Sequence, residues 1–148
     1  IDESNAKGKL ILLPKDSWKV AKFLRRKLKE KYVLKELGVL ITDSRTAPLR
    51  SGVTGVALGY AGFRGVKDYR GSNDIFGRKF KFSQTNVADS LATSAVLVMG
   101  EGNEQQPLAI IEKAPIEFCE KVHKKELQID VRDDMYLPFL SKLKITKS

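Results

Sequence analysis

The stretch Gly52-Val53-Thr54-Gly55-Val56-Ala57-Leu58-Gly59-Tyr60-Ala61-Gly62-Phe63-Arg64-Gly65 holds five of the chain's 11 glycines, set among β-forming residues. Glycine weakens a strand interior unless a bulge forms there or another backbone comes close. The segment therefore predicts strands that carry bulges or that a neighbouring element approaches at backbone level. No Gly-Lys-Ser/Thr follows it, which separates it from a phosphate-cradling loop.

Upstream, Val39-Leu40-Ile41-Thr42 predicts a buried strand ending at Asp43-Ser44, with Pro48 in the loop beyond. Acidic and hydroxyl residues just past a strand are where open sheets place ligands. Further back, 16–31 predicts a helix. Asp16 suits its N-cap, and Val20, Phe23, Leu24 and Leu28 form one apolar stripe with Trp18 near the start. Leu10-Ile11-Leu12-Leu13 reads as a short buried strand before Pro14.

Downstream, 68–79 is polar and turn-rich. Phe80 and Phe82 alternate with Lys79 and Lys81 as in a half-exposed strand. Residues 86–99 carry the strongest helix pattern, with Val87, Leu91, Ser94 or Ala95, and Val98 at helical spacing. Asn86 or Thr85 can cap it and Gly100 can end it. Its alanines and serines predict close packing. A polar loop, 101–107, leads to a predicted strand at 108–111. This alternation defines an α+β class, a mixed sheet with flanking helices.

The 148 residues bear 27 basic and 18 acidic side chains, a formal charge of +9. Eight of the basic residues fall between Lys15 and Lys31, against only Asp16 and Glu30, and 141–148 forms a short basic tail. The charge is thus one helix face and one tail. It reads as a solvated basic surface, with no interleaved aromatics or finger spacing to argue for nucleic acid. Hydrophobic content of 42% excludes a disordered tail, and one cysteine, Cys119, excludes a disulfide-stapled module. No run approaches the roughly 20 apolar residues of a membrane span. The first residues show no signal-peptide pattern, so a reducing, cytoplasmic setting is the default. Cys119 and His123 lack activating neighbours. Cys119 reads as a small partly buried hydrophobe, His123 as a surface residue and Met99 as a packing residue. The carboxylates Asp2, Asp43 and Glu101, each beside an apolar element, are candidates for a hard divalent cation.

Several of these segments, taken in order, carry a resemblance. They are Ile1-Asp2-Glu3-Ser4-Asn5, Leu12-Leu13-Pro14, Ile41-Thr42-Asp43-Ser44 and Gly55-Val56-Ala57-Leu58-Gly59-Tyr60-Ala61-Gly62. Asp68-Tyr69-Arg70-Gly71, Asp74-Ile75-Phe76-Gly77-Arg78, Val87-Ala88-Asp89 and Leu97-Val98-Met99-Gly100-Glu101 follow, then Asp133-Asp134-Met135-Tyr136. The ordered set resembles the coenzyme F-420-0:gamma-glutamyl ligase family. That resemblance implies the family's own ligase fold over 1–140, incomplete at its N-terminus, followed by the basic tail 141–148.

The resemblance also implies roles. Asp2, Asp43, Ser44 and Glu101 would hold two Mg²⁺ or Mn²⁺ ions. Asn5 and the loop Met99, Gly100, Glu101, Gly102, Asn103, Glu104, Gln105 and Gln106 would contact GTP. The implied reaction adds L-glutamate to the carboxylate of a deazaflavin coenzyme precursor through an acyl phosphate, in a homodimer. The alternative is a non-catalytic nucleotide- or anion-binding homologue that lost or changed the acceptor. The chain departs from the family pattern at Arg45-Thr46-Ala47-Pro48-Leu49-Arg50, at Glu112-Lys113 and at Ser90. Those departures bear on the acceptor more than on metal and nucleotide.

Overall fold

A computed structural model describes residues 6–140. Asp2, Asn5 and the basic tail 141–148 lie outside the described residues. The element order is α1 (Ser17–Tyr32), β1 (Val39–Thr46), β2 (Val53–Ala61), β3 (Val66–Asp68), β4 (Gln84–Asn86) and α2 (Val87–Met99). A 3₁₀ turn (Val131–Asp133) and a short α3 (Leu137–Leu140) follow.

The architecture is α+β, as the pattern predicted. Its described strands form two separate antiparallel pairs, β1 with β2 and β3 with β4, rather than one mixed sheet. The short link between β1 and β2 favours this, because adjacent strands joined without a crossover pair antiparallel.

The glycine-rich stretch becomes β2, and both predicted consequences are present. Ile41 pairs with Gly59 and Thr42 with Ala57, so Leu58 is a bulged residue without a partner on β1. At Gly59, a Cβ would lie 2.7 Å from the Ser17 carbonyl carbon and from the Trp18 nitrogen. At Gly55, it would collide with the Ala92 carbonyl. The two glycines thus let α1 and α2 rest on β2 at backbone distance.

The helices correct the predicted stripes. Asp16 does cap α1, accepting a 3.0 Å hydrogen bond from the Lys19 backbone. The buried side, however, is Ser17 and Ala21, with Arg25 partly covered beyond them, while Phe23, Leu24 and Leu28 are exposed. The backbone contact at Gly59 selects small residues for that side, so the large apolar ones face elsewhere. In α2 the buried side is Ala88, Ala92 and Ala95, and Val98 is exposed. Asn86 caps it and Gly100 ends it with φ of 77°.

Three predicted strands are absent. Residues 10–13 are exposed, with only an isolated bridge at Ile11. Phe80 and Phe82 precede the strand, which begins at Gln84, and 108–111 is exposed coil. Each is a short run, and four apolar residues do not fix a strand without a partner to pair with.

Tyr60, Phe63 and Ala88 form the core, packed by Trp18, Leu40, Ala57, Val87, Leu91, Ile116, Val122 and Leu127. Trp18, Tyr60 and Phe63 stack in series, with ring centroids 4.7 and 5.0 Å apart. Segment 116–127 closes over them. Phe118 bridges Phe63, and the Arg64 and Cys119 backbone N–H groups donate to Glu117 and Gly62 carbonyls. Arg25 of α1 holds Glu120 with two hydrogen bonds of 2.8 and 2.7 Å, and Lys29 adds a longer contact. Two cations of the basic helix are therefore engaged within the fold. Cys119 is half-buried, which pushes its thiol pKa up, and His123 is exposed.

Candidate active site at the β1–α2 junction

β1 runs four residues past the expected stretch 39–42, to Thr46, so Asp43 and Ser44 lie within the strand, opposite Val56 and Gly55. They are placed by the ladder itself, not by a loop. Asp43 Oδ1 accepts a 2.8 Å hydrogen bond from the Ser44 backbone N–H, which orients its carboxylate.

Glu101 reaches them from the other side. The positive φ of Gly100 turns the chain at the end of α2, a conformation glycine adopts without strain. Ser44 Oγ then donates to Glu101 Oε2 at 3.2 Å, across 57 positions of sequence. The structure therefore brings Ser44 and Glu101 into contact, with Asp43 the preceding residue of β1. The following loop folds on itself. Glu104 accepts from the Gly102 backbone at 2.8 Å and lies where any Gly100 side chain would go. Gln105 donates to Asn103 at 3.1 Å, and residues 101–106 are exposed. Met99 is the last residue of α2 and half-buried.

Two carboxylates and a hydroxyl are hard oxygen donors, the set suited to Mg²⁺ or Mn²⁺. The negative end of the α2 dipole points the same way, since it favours a cation over a bare phosphate. The described residues supply only part of a coordination shell, because none of their His, Cys, Asp and Glu side chains gather in threes. Asp2, the remaining predicted carboxylate, is outside the described residues.

Two residues that position this site were not singled out from sequence. Asp89 Oδ1 accepts from the Ala57 backbone N–H at 2.8 Å, next to the bulge, and Asp89 Oδ2 accepts from Asn86 at 2.7 Å. Thr93 Oγ1 donates to the Gly55 carbonyl at 3.0 Å. Both bonds fall on β2 groups turned toward α2, so they dock the helix on that strand. The visible signal is the Asn86-x-x-Asp89 spacing of a capped helix start, with Thr93 one turn further on.

A cleft of about 640 Å³ lies elsewhere, lined by Arg64, Lys67, Gln84, Ile116, Glu117 and Glu126 among others. It includes Val87, the first residue of α2, whereas Glu101 follows the last. The 13 residues between span roughly 20 Å of helix, so the cleft is separate from the carboxylates.

Fold and site define a class: an α+β domain in which a strand-held Asp-Ser pair meets an acidic loop at a helix C-terminus. Sequence comparison specifies it further. Residues 1–113 match the family model described as F420-0:Gamma-glutamyl ligase. The coenzyme F420:L-glutamate ligase of Methanococcus maripaludis is 41% identical over 131 residues, covering 85% of this chain and 52% of that protein. Those of Methanopyrus kandleri and Methanocaldococcus jannaschii are 44% and 39% identical, over 74% and 80% of this chain. The chain belongs to the F420-0:gamma-glutamyl ligase family. It spans about half the length of these curated relatives, between 44% and 52%. No helix among the described residues is long and apolar enough to cross a membrane.

Proposed function

We propose that the protein containing this chain is a GTP- and divalent-metal-dependent ligase that joins L-glutamate to a carboxylate of a deazaflavin coenzyme precursor. Membership of the family supports the ligase class, and the relatives' names supply glutamate and the coenzyme. The observation that carries the site reading is the contact of Ser44 with Glu101, which joins two family motifs at one point beside Asp43.

In this reading Asp43, Ser44 and Glu101, with Asp2, hold Mg²⁺ or Mn²⁺ at two sites, and Asn5 and the loop Met99–Gln106 bind GTP. When bound, such ions would supply neutralisation of the charge that develops on the phosphates. The γ-phosphoryl group passes to the acceptor carboxylate, releasing GDP. The glutamate amine then attacks the acyl phosphate, forming the amide and releasing phosphate. The chain's own contribution is placement, through an Asp43 carboxylate fixed by the Ser44 amide and a Glu101 carboxylate fixed by the Ser44 hydroxyl. The family resemblance adds that the working unit is a homodimer.

The test is to incubate the full-length protein with Mn²⁺, GTP, L-glutamate and the deazaflavin acceptor, reading GDP and product mass. Glutamylated product with equimolar GDP supports the proposal. GTP binding without turnover, unchanged by Asp43→Asn, would leave a nucleotide-binding homologue in its place.

A further inference from the structure

Glu101 and Ser44 belong to different layers, and their 3.2 Å contact requires α2 to sit at one height on β2. The Thr93 hydroxyl donates to the Gly55 carbonyl at 3.0 Å from the middle of α2. Gly55 is the cross-strand partner of Ser44. It is also the residue whose missing side chain admits the Ala92 backbone. A continuous path therefore runs from Thr93 to the Gly55 backbone, across the ladder to Ser44, and from the Ser44 hydroxyl to Glu101.

This arrangement does more than hold a helix. Asp89 already anchors the start of α2 at Ala57. A helix fixed only there could still pivot, and a small tilt grows along its length toward Met99. Thr93 supplies a second attachment, one turn nearer the site and on the strand position facing Ser44. Threonine is not a favoured helix residue, and its hydroxyl commonly bonds back to its own helix. Here that hydroxyl is spent on the neighbouring strand instead.

We propose that Thr93, acting through Gly55, is a positioning residue that sets the distance of Glu101 from the Asp43–Ser44 pair and so tunes divalent-cation affinity. The inference rests on the metal reading given above. Thr93 touches no substrate and has no direct part in the chemistry. Its effect should resemble that of outer-shell partners of metal ligands, whose loss typically weakens affinity by about 10- to 100-fold.

The experiment titrates Mn²⁺ into the full-length protein, following free Mn²⁺ by electron paramagnetic resonance, with thermal unfolding of the metal-free protein alongside. Thr93→Val keeps the shape and removes the donor, and Thr93→Ser restores the donor. The expected result is Mn²⁺ affinity about tenfold weaker in T93V and within about twofold of wild type in T93S. If T93V does not fold, Thr93→Ala takes its place, since α2 already carries alanine at three positions, Ala88, Ala92 and Ala95. Equal affinity in folded T93V and wild type overturns the proposal, as does equal weakening in T93V and T93S. Wild-type protein that binds no Mn²⁺ at all overturns the metal reading itself.

Discussion

The Tyr60 hydroxyl donates a 2.6 Å hydrogen bond to Glu126, 66 positions away, and the same carboxylate oxygen accepts the Gly65 backbone N–H at 2.9 Å. This one acceptor joins β2, the turn before β3 and the closing segment over the core. Tyr60 is fully buried, and burial, followed by the hydrogen bond to Glu126, drives its phenol pKa far above the ordinary value. Once unfolded, Tyr60 ionises near pH 10. A raised folded value means the stabilisation is complete below that pH and is lost as pH rises beyond it. The urea midpoint should hold up to about pH 10 and then fall, with a shallower alkaline decline in Tyr60→Phe. Matching declines in both proteins would remove Tyr60 from the explanation.

Replacing the acceptor tests the same junction at neutral pH. Glu126→Leu leaves the Tyr60 hydroxyl and the Gly65 N–H buried without a partner, at about 1–3 kcal/mol for each orphaned group. Glu126→Gln keeps an oxygen able to accept both bonds and should lose less than about 1 kcal/mol. Urea unfolding of the two variants should therefore separate clearly, and coincident curves would argue that water satisfies both donors.

How much of this was legible in sequence follows from the range of each interaction. The caps at Asp16, Asn86 and Gly100 are local, decided within four residues, and were readable. The glycines of 52–65 announced close backbone approach because little else explains glycine in a strand. The apolar stripes misled, since α1 and α2 bury the small residues that those glycines admit and expose larger ones such as Phe23 and Val98. Strand ends also shifted, because Asp43 and Ser44 remain in β1 through pairing with β2. The family resemblance grouped Asp43, Ser44 and Glu101, of which the structure shows Ser44 touching Glu101. Asp89 and Thr93 show in the sequence only as a capped helix start, not as anchors to β2, and Glu126 acts through a bond spanning 66 positions with no pattern of its own.

The close approach at Gly59 makes a contrast with a glycine in open space. In Gly59→Ala the new Cβ meets the Ser17 and Trp18 backbone, so α1 must lift from β2. Overpacking of this kind costs about 1–3 kcal/mol. Gly71 has φ of 83° with nothing near its Cβ position, so Gly71→Ala carries only the conformational cost, about 1 kcal/mol. Chemical denaturation should rank G59A below G71A, and G59A alone should alter near-ultraviolet circular dichroism through Trp18.

Acid sensitivity should centre on Arg25 and Glu120. The two guanidinium bonds hold the Glu120 carboxyl down to about 2, and the same pairing raises Arg25. The carboxylate of the unfolded chain titrates near pH 4.3. The pair's stabilisation is therefore complete above that value and is lost as pH falls from about 4.3 toward 2. Glu120 is largely exposed, so salt screens the pair and the effect is modest. Glu120→Gln should flatten the change in melting temperature between pH 5 and pH 2.5 at low salt. An unaltered acid profile would shift the burden to Asp68 and Asp130, whose arginine partners also hold them at about 2.

The last prediction separates the two proposed carboxylate ligands from the hydroxyl that contacts one of them. In the proposed metal site Asp43 and Glu101 would contribute the charge a divalent cation requires, so Asp43→Asn and Glu101→Gln would each remove a charged donor. Ser44→Ala leaves both carboxylates but frees Glu101 from its 3.2 Å partner. In the full-length protein, Asp43→Asn should lower kcat by about 100-fold or more even at saturating Mn²⁺, at least the upper end of what loss of an outer-shell partner costs. Ser44→Ala should instead raise the Mn²⁺ concentration for half-maximal rate about tenfold while restoring most of kcat at saturation. Chelation should abolish GDP release in every variant, and added Mn²⁺ should return it to wild type and S44A. Full activity of D43N, or turnover that survives chelation, would show that the reaction does not run through these carboxylates.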